Sequence, residues 1–333
     1  MKRTNNSILF LLFIIGLTLF ISCSRKMISW TSISEIPSPK DNPISDDKVA
    51  LGRKLFFDKR LSLNKTVSCA TCHVPEYAFT DRLTTSTGIE GRKTERNSPS
   101  LLNSAFLKTA MFDAHLATLE VQVIVPIQEH TEMGSNMKEL INKLRAIPEY
   151  QEAAKRIFNR DFDAYVLTRS ISAFERTLLS LNSRFDQFMN GNKSVLTQDE
   201  KAGWILFSEK LYCIQCHPAP FFTTFEAANN GLYKNYEQLD DKGRFRIFLD
   251  SNDIGKFKIP SLRNIELTYP YMHDGSLKNI DDVINHYKKG GQKNNLQASM
   301  IQPFELSNKE QQQLKSFLFS LTDTSYMSTF KFR

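Results

Sequence analysis

The chain has 333 residues, enough for two domains. With 41% apolar and 24% charged residues it has the composition of a core-forming globular protein. The formal net charge is +7, or +5 once Lys2 and Arg3 are set aside with the leader, and no basic block of the tail type occurs, so nucleic acid is excluded as a partner.

Residues 1–22 read as an export signal: Lys2 and Arg3 precede an apolar run from Ile8 to Ile21. The run ends at Ser22-Cys23, a small residue before cysteine, as at a bacterial lipobox; Cys23 would then carry lipid and become the first residue. The alternative is an uncleaved membrane anchor, since the run is near the lower length limit for a span. Either way the folded body is expected outside the cytoplasm, on the periplasmic side of a bacterial membrane. Residues 23–47 carry Pro37, Ser38, Pro39 and Pro43 and read as a tether with little structure of its own.

A compact region is expected from residue 48 onwards. Leu51-Gly52-Arg53-Lys54-Leu55-Phe56 fits one helical face, and it leads to Cys69-Ala70-Thr71-Cys72-His73. The same order recurs later: Gly203-x-x-Leu206-Phe207 precedes Cys213-Ile214-Gln215-Cys216-His217. A Cys-x-x-Cys-His run is the pattern of c-type haem attachment. Two thiols one helical turn apart add to the haem vinyl groups, and the adjacent histidine lies under the iron. Two copies use four of the five cysteines. A shared zinc site explains neither histidine and expects closer ligand pairs; a thioredoxin-like motif explains one pair only; a Cys-x-x-Cys disulfide closes too small a loop to staple much. The recurrence predicts an all-α protein of two cytochrome c-like haem domains with long loops, related by internal duplication: residues 48–190 and 191–333.

Between the motifs, Asn136–Ile147 and Phe162–Leu181 have helical apolar spacing. Thr197-x-x-Glu200 and Ser307-x-x-Glu310 are capping boxes that open further helices, the second running to about Leu321.

Longer stretches resemble the bacterial di-haem cytochrome c peroxidases, a superfamily that includes MauG. They are Asp41-Asn42-Pro43, residues 51–58, Arg60-Leu61-Ser62, Ser68–His73, Arg96-Asn97-Ser98-Pro99, Glu132-Met133, Pro260-Ser261-Leu262-Arg263-Asn264 and Thr268-Tyr269-Pro270-Tyr271-Met272-His273-Asp274-Gly275, within about residues 41–320. The resemblance implies that the haem on His73 is the peroxidatic one and that the haem on His217 passes electrons. The family's Gln-x3-Pro-x5-Glu pattern falls on Gln122, Pro126 and Glu132. It makes Glu132 the acid/base for peroxide cleavage, with Gln122 as its polar helper. It also implies a calcium ion held by Asn97, Thr268 and Pro270, all oxygen donors.

Three positions depart from the peroxidase pattern. A histidine that blocks the peroxidatic iron is replaced by Ile89, which cannot ligate, so the first haem is expected to be open without reductive activation. The far ligand of the second haem, methionine in the peroxidases, aligns with Tyr287, as in MauG; Met272, His273 and His286 are rivals. A tryptophan between the haems is replaced by Phe112, in Phe112-Asp113-Ala114-His115, which counts against MauG-like charge sharing.

The leading expectation is a di-haem peroxidase that reduces hydrogen peroxide at the first haem, supplied by a small cytochrome or cupredoxin through the second. The alternatives are MauG-like oxidation of a partner protein or organic substrate, and a non-catalytic electron carrier or redox sensor. Membrane contact through lipid on Cys23 and a homodimer complete the expected partners.

Overall fold

The computed structural model describes residues 36–330; the leader and Cys23 lie outside them. The elements follow in the order α1 (Asp46–Phe56), α2 (Cys69–Cys72), α3 (Leu119–Gln122), α4 (Ile124–Gln128), α5 (Met137–Arg145), α6 (Pro148–Phe158), α7 (Ala164–Arg176), α8 (Arg184–Met189) and α9 (Gln198–Ile205). A two-residue strand β1 (Ala227–Ala228), α10 (Phe245–Phe248), β2 (Phe257–Lys258), α11 (Ile280–Lys288) and α12 (Asn308–Phe319) complete them. β1 and β2 pair antiparallel, Ala227 opposite Lys258. Long loops separate many of these helices, and no helix among the described residues is long and apolar enough to cross a membrane.

Local chemistry sets the helix ends. Asn136 caps α5 by accepting from the Glu139 amide, and Pro148 opens α6 where its missing N–H is harmless. Both expected capping boxes form, at Thr197 with Glu200 and at Ser307 with Glu310. Helix α7 is buried on most sides from Val166 to Arg176, and the apolar Val166, Ile171 and Phe174 of the expected spacing lie within that stretch.

Two apolar clusters form. The first gathers Leu55, Phe56, Phe79, Tyr150, Ile171 and Phe174; the second gathers Phe185, Phe207, Phe222, Leu314 and Phe317. Each has a helix pair at its centre, and each pair crosses at a glycine. A Cβ on Gly52 of α1 would lie 1.8 Å from the Ser170 carbonyl oxygen of α7. A Cβ on Gly203 of α9 would lie 2.0 Å from the Gln313 carbonyl oxygen of α12. Close approach then lets Phe56 meet Phe174 at 5.1 Å and Phe207 meet Phe317 at 5.0 Å between ring centroids. Each buried phenylalanine contributes roughly 1.5–3 kcal/mol, which the added methyl would put at risk.

The stretch expected to be a loose tether is fixed to the body before it ends. Asn42 is fully buried; its amide donates to Glu120 Oε1 at 2.7 Å and to the Arg169 carbonyl at 3.1 Å. Glu120 is also paired with Arg176 at 2.6 Å, so a buried ion pair receives the donor that completes it. Helix α1 starts soon after, at Asp46, capped by Ser45.

Candidate active site: one cavity between two Cys-x-x-Cys-His motifs

A cavity of about 1260 Å³ runs between the two motifs. Cys72, His73, Cys213, Cys216 and His217 line it, and Cys69 joins Cys72 and His73 around an adjoining space of about 40 Å³. Both histidines are oriented alike. His73 Nδ1 is 2.9 Å from the Phe79 carbonyl oxygen, and His217 Nδ1 is 2.9 Å from the Phe222 carbonyl oxygen. A carbonyl only accepts, so Nδ1 carries the proton in each ring and Nε2 keeps its lone pair. That second hydrogen bond is the usual orienting contact of a metal-bound imidazole. The four described cysteines are free thiols. Burial pushes Cys72 up to about 11 and Cys213 up to about 12, and raises Cys69 and Cys216 too. Reduced, unbridged cysteines are what thioether formation with vinyl groups requires. Nor do three His, Cys, Asp or Glu side chains converge as a metal cage among the described residues. The donor set thus fits two covalently attached haems and not a shared zinc.

Above His73 the wall is made by α3, α4 and the loop after them. Gln122, Pro126 and Glu132 all border both spaces. The Glu132 loop is tightly held: the Met133 amide donates to the Pro126 carbonyl, Ser135 Oγ donates to the Leu61 carbonyl, and the Ile89 amide donates to the Glu132 carbonyl. Gly88 permits the last contact, because a Cβ there would lie 2.0 Å from the Thr131 carbonyl oxygen. Burial, helped by the negative charge of Glu129, raises the Glu132 carboxyl to about 7. It is a carboxyl that both gives and takes a proton near neutral pH.

The model of the di-haem cytochrome c peroxidase family matches residues 46–194. The chain is 36% identical over 290 residues to the methylamine utilization protein MauG of Methylorubrum extorquens, spanning 86% of this chain and 81% of that protein. The chain belongs to the di-haem cytochrome c peroxidase family. It is also 31% identical over 320 residues to the cytochrome-c peroxidase IdrP1 of Pseudomonas sp. strain SCT, covering 86% of this chain and 84% of that protein. Among solved structures, a MauG-like protein associated with microbial copper homeostasis superposes with a TM-score of 0.83 at 36% identity, over 89% of this chain and 95% of that one.

Several features of this di-haem family member bear on the positions that depart from the peroxidase pattern. Ile89 is 1% exposed and belongs to the first apolar cluster, where it packs over Gly134. Another histidine, His130, does reach the rim beside Glu132, but its ring is exposed and its Nδ1 is held by Glu129 at 2.6 Å. Tyr287 of α11 lines the cavity and bonds to the Asn230 side chain; burial raises its phenol to about 12. Of its rivals, His286 is not on the cavity wall, and its Nε2 lies 3.0 Å from the Asn230 carbonyl. His273 lines the cavity but stacks on Phe257 at 3.6 Å. Met272 also lines it, its sulfur accepting from Asn230 Nδ2 at 3.2 Å.

Phe112 and His115 both face the cavity, and His115 Nδ1 is buried without a hydrogen-bond partner. Arg96 fixes this stretch, bonding Asp113 at 2.8 and 3.0 Å and Asp241 at 2.6 and 2.7 Å. Asn97, Thr268 and Pro270 lie on the wall of the same cavity; Asn97 Nδ2 donates to the Leu83 carbonyl at 2.7 Å, which leaves its Oδ1 as an acceptor.

Two further residues of this wall, Glu175 and Met300, escaped sequence reasoning. Glu175, 5% exposed, borders both spaces; burial raises it to about 8 and its Oε2 has no hydrogen-bond partner. A glutamate between the apolar Ala173-Phe174 and Leu178-Leu179 of a buried helical stretch was the signal available. Met300 places its sulfur 3.0 Å from Cys216 Sγ, which no local pattern announces.

Proposed function

We propose that this chain is an extracytoplasmic di-haem peroxidase that reduces hydrogen peroxide at the haem on His73, with electrons arriving through the haem on His217. The observation that carries the reading is Glu132: a half-buried carboxyl, raised to about 7, on a rigid loop in the wall that also holds Gln122. Bound haem supplies the redox iron. Glu132 takes a proton from the attacking peroxide oxygen and returns it to the departing one, and the Gln122 amide steadies that oxygen. Pro126, inside α4, accepts at its carbonyl from the Met133 amide and so helps hold the Glu132 loop. Tyr287 would hold the second haem's iron, where a phenol oxygen would favour higher iron oxidation states than a methionine sulfur does. Asn97, Thr268 and Pro270 would hold a calcium ion by oxygen donors. A small cytochrome or cupredoxin is the donor. The domains run from 48 to 190 and from 191 to 333, and the paired glycine crossings at Gly52 and Gly203 support an origin by duplication. Lipid on Cys23 holds the protein at the membrane.

Optical and EPR spectra of the as-isolated di-ferric protein, taken before and after peroxide, test this. One high-spin haem that reacts at once is expected. Two low-spin haems that do not react would leave an electron carrier and overturn the enzyme reading.

A second reading is MauG-like oxidation of a partner protein. Tyr287 on the cavity wall and Ile89 packed into the core favour it, as does the likeness to a MauG-like protein. Phe112 disfavours it, being harder to oxidise than tryptophan. Rapid peroxide turnover with a reduced cytochrome separates the two, because the second reading expects little.

A further inference from the structure

Lys258 is a half-buried cation on the cavity wall, with no side-chain partner among the described residues. The protein pairs its other deeply placed cations: Arg96 with Asp113 and Asp241, Arg176 with Glu120, Arg263 with Asp186. Even Lys256, two residues away, pairs with Asp253 at 3.1 Å. No carboxylate or carbonyl takes the Lys258 ammonium among the described residues, and burial alone depresses it to about 8. Its position is nevertheless fixed. The Lys258 amide donates to the Phe112 carbonyl at 2.7 Å, and β2 pairs Lys258 with Ala227 of β1. The residue lines the large cavity with Phe112, Ile259 and Pro260, next to the wall of His217. An ammonium on the wall of a cavity loses its water when a large apolar occupant fills that cavity, so such a residue favours an occupant that brings its own anion. Each haem brings two carboxylates.

We propose that Lys258 is a carboxylate anchor: its ammonium pairs with a propionate of a haem in this cavity and favours the reduced state of that haem. The pairing rests on the two-haem reading of the cavity. A fixed positive charge near an iron stabilises the state of lower iron charge, and little water intervenes to screen it. Placement beside Phe112 puts that charge on the path between the two motifs.

The test uses the haem-loaded protein and its Lys258→Met and Lys258→Arg variants. Pyridine haemochrome spectra count haems first; two per chain are expected in all three, because thioether bonds hold the cofactor without the lysine. A count below two in the unaltered protein would refute the two-haem reading, not the anchor alone. Spectroelectrochemical titration then gives both midpoint potentials. In Lys258→Met the potential of one haem falls while the other stays, and the propionate-bending band in resonance Raman moves; Lys258→Arg restores both. Should the methionine variant fail to fold, Lys258→Gln carries the same expectation. Unchanged potentials and an unmoved propionate band in the neutral variant overturn the proposal.

Discussion

Replacing Glu132 by glutamine keeps the size and the hydrogen-bonding capacity of the side chain but removes its titration. An unperturbed glutamate at 4.5 would be only ~0.3% protonated at pH 7, whereas Glu132 at about 7 is roughly half protonated. That poise follows from burial first and from the neighbouring Glu129 second. Glu129 itself is held ionised by hydrogen bonds from Thr131 and by His130, so its charge persists through neutral pH. A group balanced in this way serves as base and acid in turn, and its loss typically costs about 10²–10⁴ in rate. The expected result is a fall of that size in kcat/KM for peroxide, measured by stopped-flow oxidation of a reduced cytochrome at full haem content. Wild type should show a limb in its pH profile near 7, rising as Glu132 deprotonates and becomes able to take the first proton. The variant should lack it. A glutamine variant within about threefold of wild type, or one that keeps the limb, would refute the role.

Replacing Tyr287 by methionine should raise the potential of one haem and bring in a ferric methionine-to-iron charge-transfer band; if neither changes, Tyr287 is not a ligand. Gly52→Ala and Gly203→Ala should each destabilise the protein by about 1–3 kcal/mol or more, read as a lower urea midpoint, because each methyl meets a backbone carbonyl; a cost below about 0.5 kcal/mol would show that the helices part freely. Glu175 has a folded pKa raised to about 8 from 4.5, so the folded state holds a proton that the unfolded state releases between those values. Its contribution to stability is complete below about 4.5 and is lost as pH climbs towards about 8. Glu175→Gln should therefore gain on wild type with rising pH across that window, by up to about 1.4 kcal/mol per unit in denaturant titrations; a pH-independent difference would falsify the assignment.

What was legible in the chain is what chemistry confines to a few neighbours. The two Cys-x-x-Cys-His runs, the capping boxes at Thr197 and Ser307 and the apolar spacing of α7 each lie within one or a few helical turns. The Gly-x-x-Leu-Phe echo was visible as a pattern, but its cause was not: Gly52 is small because Ser170 lies against it, 118 residues further on. The same holds for Asn42, which finished the Glu120–Arg176 pair where composition read only a loose tether. Glu175, Lys258 and Met300 escaped because their meaning depends on the cavity they face, and no run of adjacent residues encodes a cavity.

Arg96 carries a consequence in the domain of time. It bonds at once to Asp113 in one stretch and Asp241 in another, and so keeps Phe112 and the wall around it in register. On the electron path proposed above, where tunnelling weakens exponentially with separation, a slip too small to disturb either helix pair would still slow transfer between the two motifs many-fold. On that reading a guanidinium that touches neither motif would act as the spacer that keeps their clock.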